Sequence, residues 1–143
     1  MIKNERQYKI TKSQIAKFQA ALDEVAARAK SNVDPRLRRL EADALRSQLD
    51  ELRDDVEQYE RLCSGPRNPI AIESFDQLPA ALIQARIAAG LSQKQLAERL
   101  GLKEQQIQRY EATDYSSASL TRIQEVIEAL GAKIAAEMTC SAK

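Results

Sequence analysis

The sequence contains no histidine and no tryptophan, and it has only four glycines and four prolines in 143 residues. Without histidine there is no Ser-His-Asp or Cys-His catalysis, no histidine metal site and no usual general base. A glycine-rich phosphate loop is also missing. We therefore expect no enzyme and no bound cofactor or metal ion. The scarcity of glycine and proline favours long helices, so the expected fold class is all-α.

Long apolar runs and closely spaced cysteines are absent as well. No apolar run approaches the about 18 residues that a membrane span requires. Cys63 and Cys140 match no metal or redox spacing, so we expect free thiols in a reducing cytoplasm. The net charge of +1 gives no general attraction to nucleic acid or membrane. These features predict a cytoplasmic protein that does not associate with membranes.

Two amphipathic helices occupy the first half of the chain. Thr11 and Gln14 form a T-x-x-Q capping box, and Asp34 with Pro35 is a typical helix start after the interruption at residues 31–33. Behind each start, apolar residues recur at alternating spacings of three and four. In the first helix they are Ile15, Phe18, Leu22, Val25 and Ala29; in the second they are Ala42, Leu45, Leu49, Leu52, Val56, Tyr59 and Cys63. The pattern predicts a long, coiled-coil-like antiparallel hairpin.

The chain divides at its one cluster of helix breakers, residues 64–69. We expect a hairpin over residues 1–64, a linker over 65–78 and a second domain over 79–143. Because the hairpin core is narrow, residues 11–63 are expected either to form a homodimer or to bind another protein. Alternation of apolar residues predicts a short C-terminal strand (Ile134, Ala136, Met138, Cys140), and Tyr8 and Ile10 suggest another strand.

Four short helices with tight connections are predicted between residues 79 and 130. Pro79 begins the first helix and Gly90 ends it. Ser92 and Gln95 form a capping box for the second, and Gly101 lies in the turn before a third helix that starts by Glu104. A fourth helix near Ser119 is expected to bury Leu120, Ile123, Val126, Ile127 and Leu130. Such a short, glycine-containing turn forces the second and third helices to cross steeply.

The run G-L-S-Q-K-Q-L-A-E-R-L-G-L from Gly90, followed by I-Q-R-Y-E from Ile107, closely resembles the phage-repressor-like (Cro/XRE) helix-turn-helix family. The resemblance covers about residues 79–130 and leaves out the hairpin. It implies a domain that binds double-stranded DNA with the third helix in the major groove. By position, it assigns DNA contacts to Gln93, Glu104, Gln105, Gln106, Gln108 and Arg109, to which we add Ser92, Lys94 and Lys103. Because the charge of this segment is modest, we expect useful affinity to require a dimer on two half-sites about one helical turn apart.

These residue types suit base and phosphate contacts. Glutamine can pair with adenine, arginine with guanine, and Glu104 can accept from cytosine. The resemblance places Gln93 against the DNA backbone, and Lys94, Lys103 and Arg122 are further candidates for phosphate contacts. Lys103 stands where the family often has a serine or threonine cap, so the recognition helix is expected to begin less firmly.

Arg86 and Glu111 have a structural role in this interpretation. The resemblance implies that they form a partly buried ion pair that orients the recognition helix. Removal of one partner would leave a buried charge unpaired and is expected to cost several kcal/mol.

Three functions remain open from the sequence. The first is a dimeric, sequence-specific transcriptional regulator that acts as a repressor. The second is an antitoxin that represses its own promoter and neutralises a toxin through the hairpin. The third is a helical interaction scaffold that does not bind DNA, which the modest charge of the segment from Arg86 to Arg122 favours, since it has six basic and four acidic residues.

Overall fold

The computed structural model of the chain describes residues 1–28, 34–64 and 69–142, and the chain divides into two compact units, Met1–Arg67 and Asn68–Lys143. The described residues form helices and turns without a strand, so the all-α prediction is confirmed. The first unit contains α1 (Glu5–Ala27) and α2 (Pro35–Ser64). The second contains a 3₁₀ turn (Phe75–Gln77), α3 (Leu78–Ala88), α4 (Gln93–Leu100), α5 (Glu104–Ala112) and α6 (Leu120–Ala129). Ala29 and the predicted breakers at 31–33 and 65–68 lie outside the described residues.

Helix α1 begins six residues before the predicted capping box at Thr11. Asn4 is the N-cap, and its side chain accepts a hydrogen bond of 2.9 Å from the backbone N–H of Gln7. Thr11 lies within the helix, where its buried hydroxyl donates to the Gln7 carbonyl. The prediction of a helix start at Thr11 was therefore wrong, and so was the strand at Tyr8 and Ile10, which both belong to α1.

Helix α2 begins as the sequence predicts. The Asp34 carboxylate accepts from the backbone N–H of Arg36 at 2.9 Å, and Pro35 is the first helical residue. The two helices run antiparallel, because Tyr8 near the start of α1 stacks on Tyr59 near the end of α2, with 5.2 Å between ring centroids. Further along, Arg53 donates to Gln19. The predicted hairpin is confirmed.

The hairpin core is narrow. Among the predicted apolar positions that the structure describes, only Val25, Leu49 and Val56 are buried, while Cys63 is exposed. Ile2 adds a core residue that helical periodicity could not identify, since it precedes α1. The N-terminal ammonium group of Met1 lies 3.4 Å from the Asp55 carboxylate and holds this end against α2.

In the second unit, α3 to α5 follow the predicted bounds. Helix α3 starts one residue before Pro79, which is within the ordinary uncertainty of helix ends. Gly90 follows α3 with a φ of 69°. The core of this unit contains Leu82, Ile83, Ile87, Leu96, Ala97, Ile107 and Val126, all buried.

The C-terminal part differs from its prediction in two ways. Of the five apolar residues expected to be buried by α6, only Val126 is fully buried, and Leu120 is 72% exposed. The predicted C-terminal strand was wrong, because the described residues 132–142 contain no strand. Met138 is 93% exposed. The spacing identified an apolar pattern, but it could not show whether another segment covers it.

Candidate nucleic-acid interface

Three residues connect α4 to α5. Gly101 is the left-handed C-cap of α4 with a φ of 65°, a conformation that glycine adopts without strain. The backbone N–H of Leu102 then donates to the Ala97 carbonyl at 2.9 Å and closes the turn. Ala97 and Ile107 are buried where the helices meet, and the small side chain of Ala97 allows a close approach. This turn fixes a helix-turn-helix geometry.

One face of α5 is exposed and polar. Glu104, Gln105, Gln108 and Arg109 are exposed, whereas Ile107 on the opposite side is fully buried. Since residues four apart are neighbours on a helix, Glu104 lies beside Gln108, and the Gln108 amide donates to the Glu104 carboxylate at 3.2 Å. Gln105 and Arg109 form the second neighbouring pair. Within the described part of the chain, neither of these two side chains is in a hydrogen bond or ion pair, so both are available to a ligand.

Only one of the two hydrogen bonds of a capping box is present at the start of α5. The Lys103 backbone N–H donates to the Gln106 side chain at 3.0 Å, while the Lys103 ammonium group has no lone pair with which to cap the helix. The Gln106 backbone N–H bonds to the Lys103 carbonyl instead. Gln106, assigned to DNA by the resemblance, therefore stabilises the start of the helix.

The first turn of α4 has a complete capping box. The Ser92 hydroxyl accepts from the Gln95 backbone N–H at 3.1 Å, and the Gln95 side chain accepts from the Ser92 backbone N–H at 2.8 Å. Lys94 is exposed, but Gln93 is only 6% exposed. Its amide donates to the Glu111 carboxylate at 2.7 Å. The hydrogen bond to Glu111 holds the Gln93 side chain against the interior of the domain.

Arg86 and Glu111 form a bidentate ion pair inside the second unit. The Arg86 Nε–Glu111 Oε1 distance is 2.6 Å, the Nη2–Oε2 distance is 2.9 Å, and both side chains are almost completely buried. Arg86 Nη1 also donates to the Leu91 carbonyl at 2.8 Å. The pair is more deeply buried than the sequence suggests, and it joins α3, the α3–α4 turn and α5.

The segment after α5 contains a feature that the sequence analysis missed. Asp114 and Tyr115 both have positive φ angles, 49° and 56°, which are unusual for residues other than glycine. The buried Tyr115 ring stacks on Tyr110 with 5.8 Å between centroids. Burial, followed by the nearby Glu111 carboxylate, raises the pKa of the Tyr115 phenol. This stacking attaches the segment after α5 to the end of that helix.

Few of the basic residues near α4 and α5 are available for phosphate groups. Arg86 is buried, Arg99 donates to the Ala129 carbonyl at the end of α6, and Arg122 pairs with Glu125 at 2.6 Å. Lys94, Lys103 and Arg109 remain exposed and unpaired among the described residues. The positive potential of this surface therefore depends on three side chains.

The described residues contain no group of three metal-ligating side chains that could hold an ion, and none of their helices is both long and apolar enough to cross a membrane. Residues 82–136 match the helix-turn-helix family of Cro/C1 type. This is a domain of DNA-binding transcriptional regulators. The match covers less than half of the chain and excludes the hairpin. No curated protein and no solved structure matches the chain.

Proposed function

We propose that this chain is a sequence-specific transcriptional repressor that binds double-stranded DNA as a homodimer and reads bases with α5. The observation that carries the proposal is the contrast between the two sides of α5. Ile107 and Glu111 are fixed in the core, while Gln105 and Arg109 point outward without a partner among the described side chains. A rigid helix with exposed hydrogen-bonding side chains is suited to the major groove.

The proposed DNA contacts are of two kinds, contacts to bases and contacts to phosphates. Gln105 can form a bidentate pair with adenine and Arg109 with guanine. Glu104 can accept from a cytosine amino group, and the bond from Gln108 fixes its carboxylate for that purpose. Lys94 and Lys103 flank these residues and reach phosphates, which set the register of the protein on the duplex without reading sequence.

The test is selection of binding sequences from randomised duplex DNA by the full-length chain. The selected duplex is then titrated with the Gln105→Ala and Arg109→Ala variants. Each is expected to bind about 10- to 100-fold more weakly and to lose its preference at one base pair, because a good bidentate contact contributes about 1–3 kcal/mol.

Gln124→Ala is the matched control, since Gln124 is an exposed glutamine on α6 of the same unit. It should bind the selected duplex as the unmodified chain does. The proposal is wrong if no sequence is enriched, or if both α5 variants retain full affinity while correctly folded.

An antitoxin is the second candidate function. It is favoured by the exposure of Leu37 and Leu40 at the start of α2, because exposed apolar patches mark protein-binding surfaces. Expression of a small neighbouring gene, with and without this chain, separates the two candidates. Growth arrest that this chain relieves supports the antitoxin; a neighbouring gene without toxicity opposes it.

A further inference from the structure

We infer that the first turns of α2 form a protein-binding surface of two leucines and two arginines, and that its partner is an acidic amphipathic helix of another protein. This Leu/Arg surface consists of Arg36, Leu37, Arg39 and Leu40, all exposed. It belongs to the hairpin, so the inference goes beyond DNA binding by α5 and does not depend on it. It also gives the antitoxin candidate a defined contact surface.

The two leucines lie outside the side of α2 that packs against α1. That side is marked by Ala42, Leu45 and Leu49, which recur at spacings of three and four residues and are half-buried or buried. Leu37 and Leu40 do not belong to this series, and they are 60% and 67% exposed. Because they are three residues apart, they are neighbours on the helix surface. They form a small apolar patch that the hairpin leaves in solvent.

Two arginines border this patch. Arg36 lies one turn before Leu40 and three residues before Arg39, and within the described residues neither guanidinium group is in a hydrogen bond or ion pair. A shallow depression of about 430 Å³ is lined by Arg36, Arg39 and Leu40 together with Pro35 and Asp43. It provides room for an apolar side chain of a partner beside two cations.

This end of α2 has more hydrogen-bond donors than acceptors. The three carboxylates closest to these arginines along α2 have other partners: Asp34 accepts from the Arg36 backbone N–H, Glu41 acts on the charge of Arg28 at the end of α1, and Asp43 pairs with Arg46 at 3.2 Å. A further donor, the Nε of Arg38, is buried without a hydrogen-bond partner in the described structure. A partner that supplies carboxylates would balance the excess, since arginine binds them with strong, charge-assisted hydrogen bonds.

Charge also decides between a second copy and a different protein. In a symmetric pair the same patch meets itself, so a second copy seated on Leu37 and Leu40 would bring Arg36 and Arg39 against their equivalents. Like charges in contact disfavour that arrangement. An acidic amphipathic helix avoids the repulsion, because its carboxylates bind the guanidinium groups while its apolar side chains cover the leucines.

The experiment selects binders from a displayed library of helical peptides on the immobilised full-length chain. The library has apolar residues at every third and fourth position, and its other positions vary among glutamate, glutamine, serine and lysine. We expect enrichment of peptides with a net negative charge. One enriched peptide is then synthesised, and its affinity is measured for the unmodified chain and for variants of the Leu/Arg surface.

Two double variants test the two parts of the surface. Leu37→Ala with Leu40→Ala, and Arg36→Gln with Arg39→Gln, should each bind the peptide at least about tenfold more weakly. The deficit of the arginine variant should shrink at high salt, because exposed ion pairs are screened, whereas the deficit of the leucine variant should persist. Since all four side chains are exposed, we expect both variants to keep the helical content and the DNA affinity of the unmodified chain.

Leu120→Ala and Arg6→Gln are the matched controls. Leu120 is an exposed leucine of the second unit, and Arg6 is an exposed arginine in the first turn of α1, at the opposite end of the hairpin from the start of α2. Both variants should bind the peptide as the unmodified chain does.

The inference is overturned if the enriched peptides carry no excess of acidic residues, or if both double variants retain full affinity. A loss with Arg109→Ala instead would place the peptide on α5 and overturn it as well. So would a homodimer that the leucine variant dissociates, or a loss of DNA affinity in the arginine variant, since the surface would then serve a second copy or DNA. Failure of the proposed function gives a different result: the chain would select no duplex and still bind the acidic peptide.

Discussion

At the scale of single residues, the decisive group is the Glu111 carboxylate. It is completely buried and is neutralised by Arg86 at 2.6 and 2.9 Å, with Gln93 as a further donor. Separation of such a pair is costly because the remaining charge stays in a medium of low polarity. A well-packed apolar pair at the same positions would give a similar free energy of unfolding. We therefore expect the network to determine the orientation of α5 more than the stability of the unit.

This view predicts unequal effects for single and double substitutions. Arg86→Met should reduce the free energy of unfolding by about 3–5 kcal/mol, because it strands the Glu111 carboxylate, whereas the double variant Arg86→Met with Glu111→Met should recover most of that loss. Hydrogen exchange of the buried α5 amides reports on this unit alone and provides the measurement. A double variant as unstable as the single one would contradict the prediction.

Single-residue features were also the hardest to derive from the sequence. The inward orientation of Gln93 depends on Glu111, which is eighteen residues away, and local pattern contains no information about that contact. The burial of Tyr115 depends on two successive positive φ angles, and the sequence has no glycine at these positions to indicate them. In contrast, Arg86 and Glu111 were found because a family resemblance links their positions, which composition and periodicity alone would not do.

At the scale of helices, the starts that were predicted correctly have one strong cap each. No competing cap lies near the start of α4, which Ser92 and Gln95 cap, or near the start of α2, which Asp34 and Pro35 mark. Local hydrogen bonding therefore decides where these two helices begin. The start of α1 has two candidate caps, and Asn4 is the one used because seven more residues are then helical. The burial on α6 was overestimated for a different reason: periodicity identifies the apolar side of a helix, but packing depends on a neighbour.

Helix α5 lacks the reciprocal pair of capping bonds that α4 has, which leads to a prediction for Lys103→Ser. Serine at this position completes a box with Gln106 of the kind that Ser92 forms with Gln95. We expect a gain of about 1 kcal/mol in the free energy of unfolding, measured by thermal denaturation. DNA affinity should nevertheless fall with a shallower salt dependence, because a cation facing the phosphates is lost.

Ser119→Ala is the control for the size of the capping effect. The Ser119 hydroxyl caps α6 by accepting from the Arg122 backbone N–H at 3.1 Å, so its removal shows what one side-chain cap contributes in this unit. If Lys103→Ser lowers the melting temperature while Ser119→Ala lowers it too, the capping argument for α5 is incorrect.

At the scale of the whole molecule, the modest charge is the reason for proposing that two copies bind DNA together. The chain has a net charge of only +1, and Lys94, Lys103 and Arg109 are the cations left available around α4 and α5 in the described structure. Each neutralised phosphate contributes about −0.9 to the slope of log affinity against log salt, so with Lys94 and Lys103 on phosphates one protomer should show a slope of about −2 and a dimer about −4. We therefore expect affinity of a useful size to require two protomers on two half-sites.

The last prediction follows from this requirement. Duplexes are compared that contain one selected half-site, two inverted half-sites about ten base pairs apart, or the same two with about five extra base pairs between them. The inverted pair should bind at least tenfold more tightly than the single site and with the steeper salt slope. The extra half turn should remove this advantage, because it places the second site on the opposite face of the duplex. Equal affinity for the single and inverted sites would show that the chain does not act as a dimer on DNA.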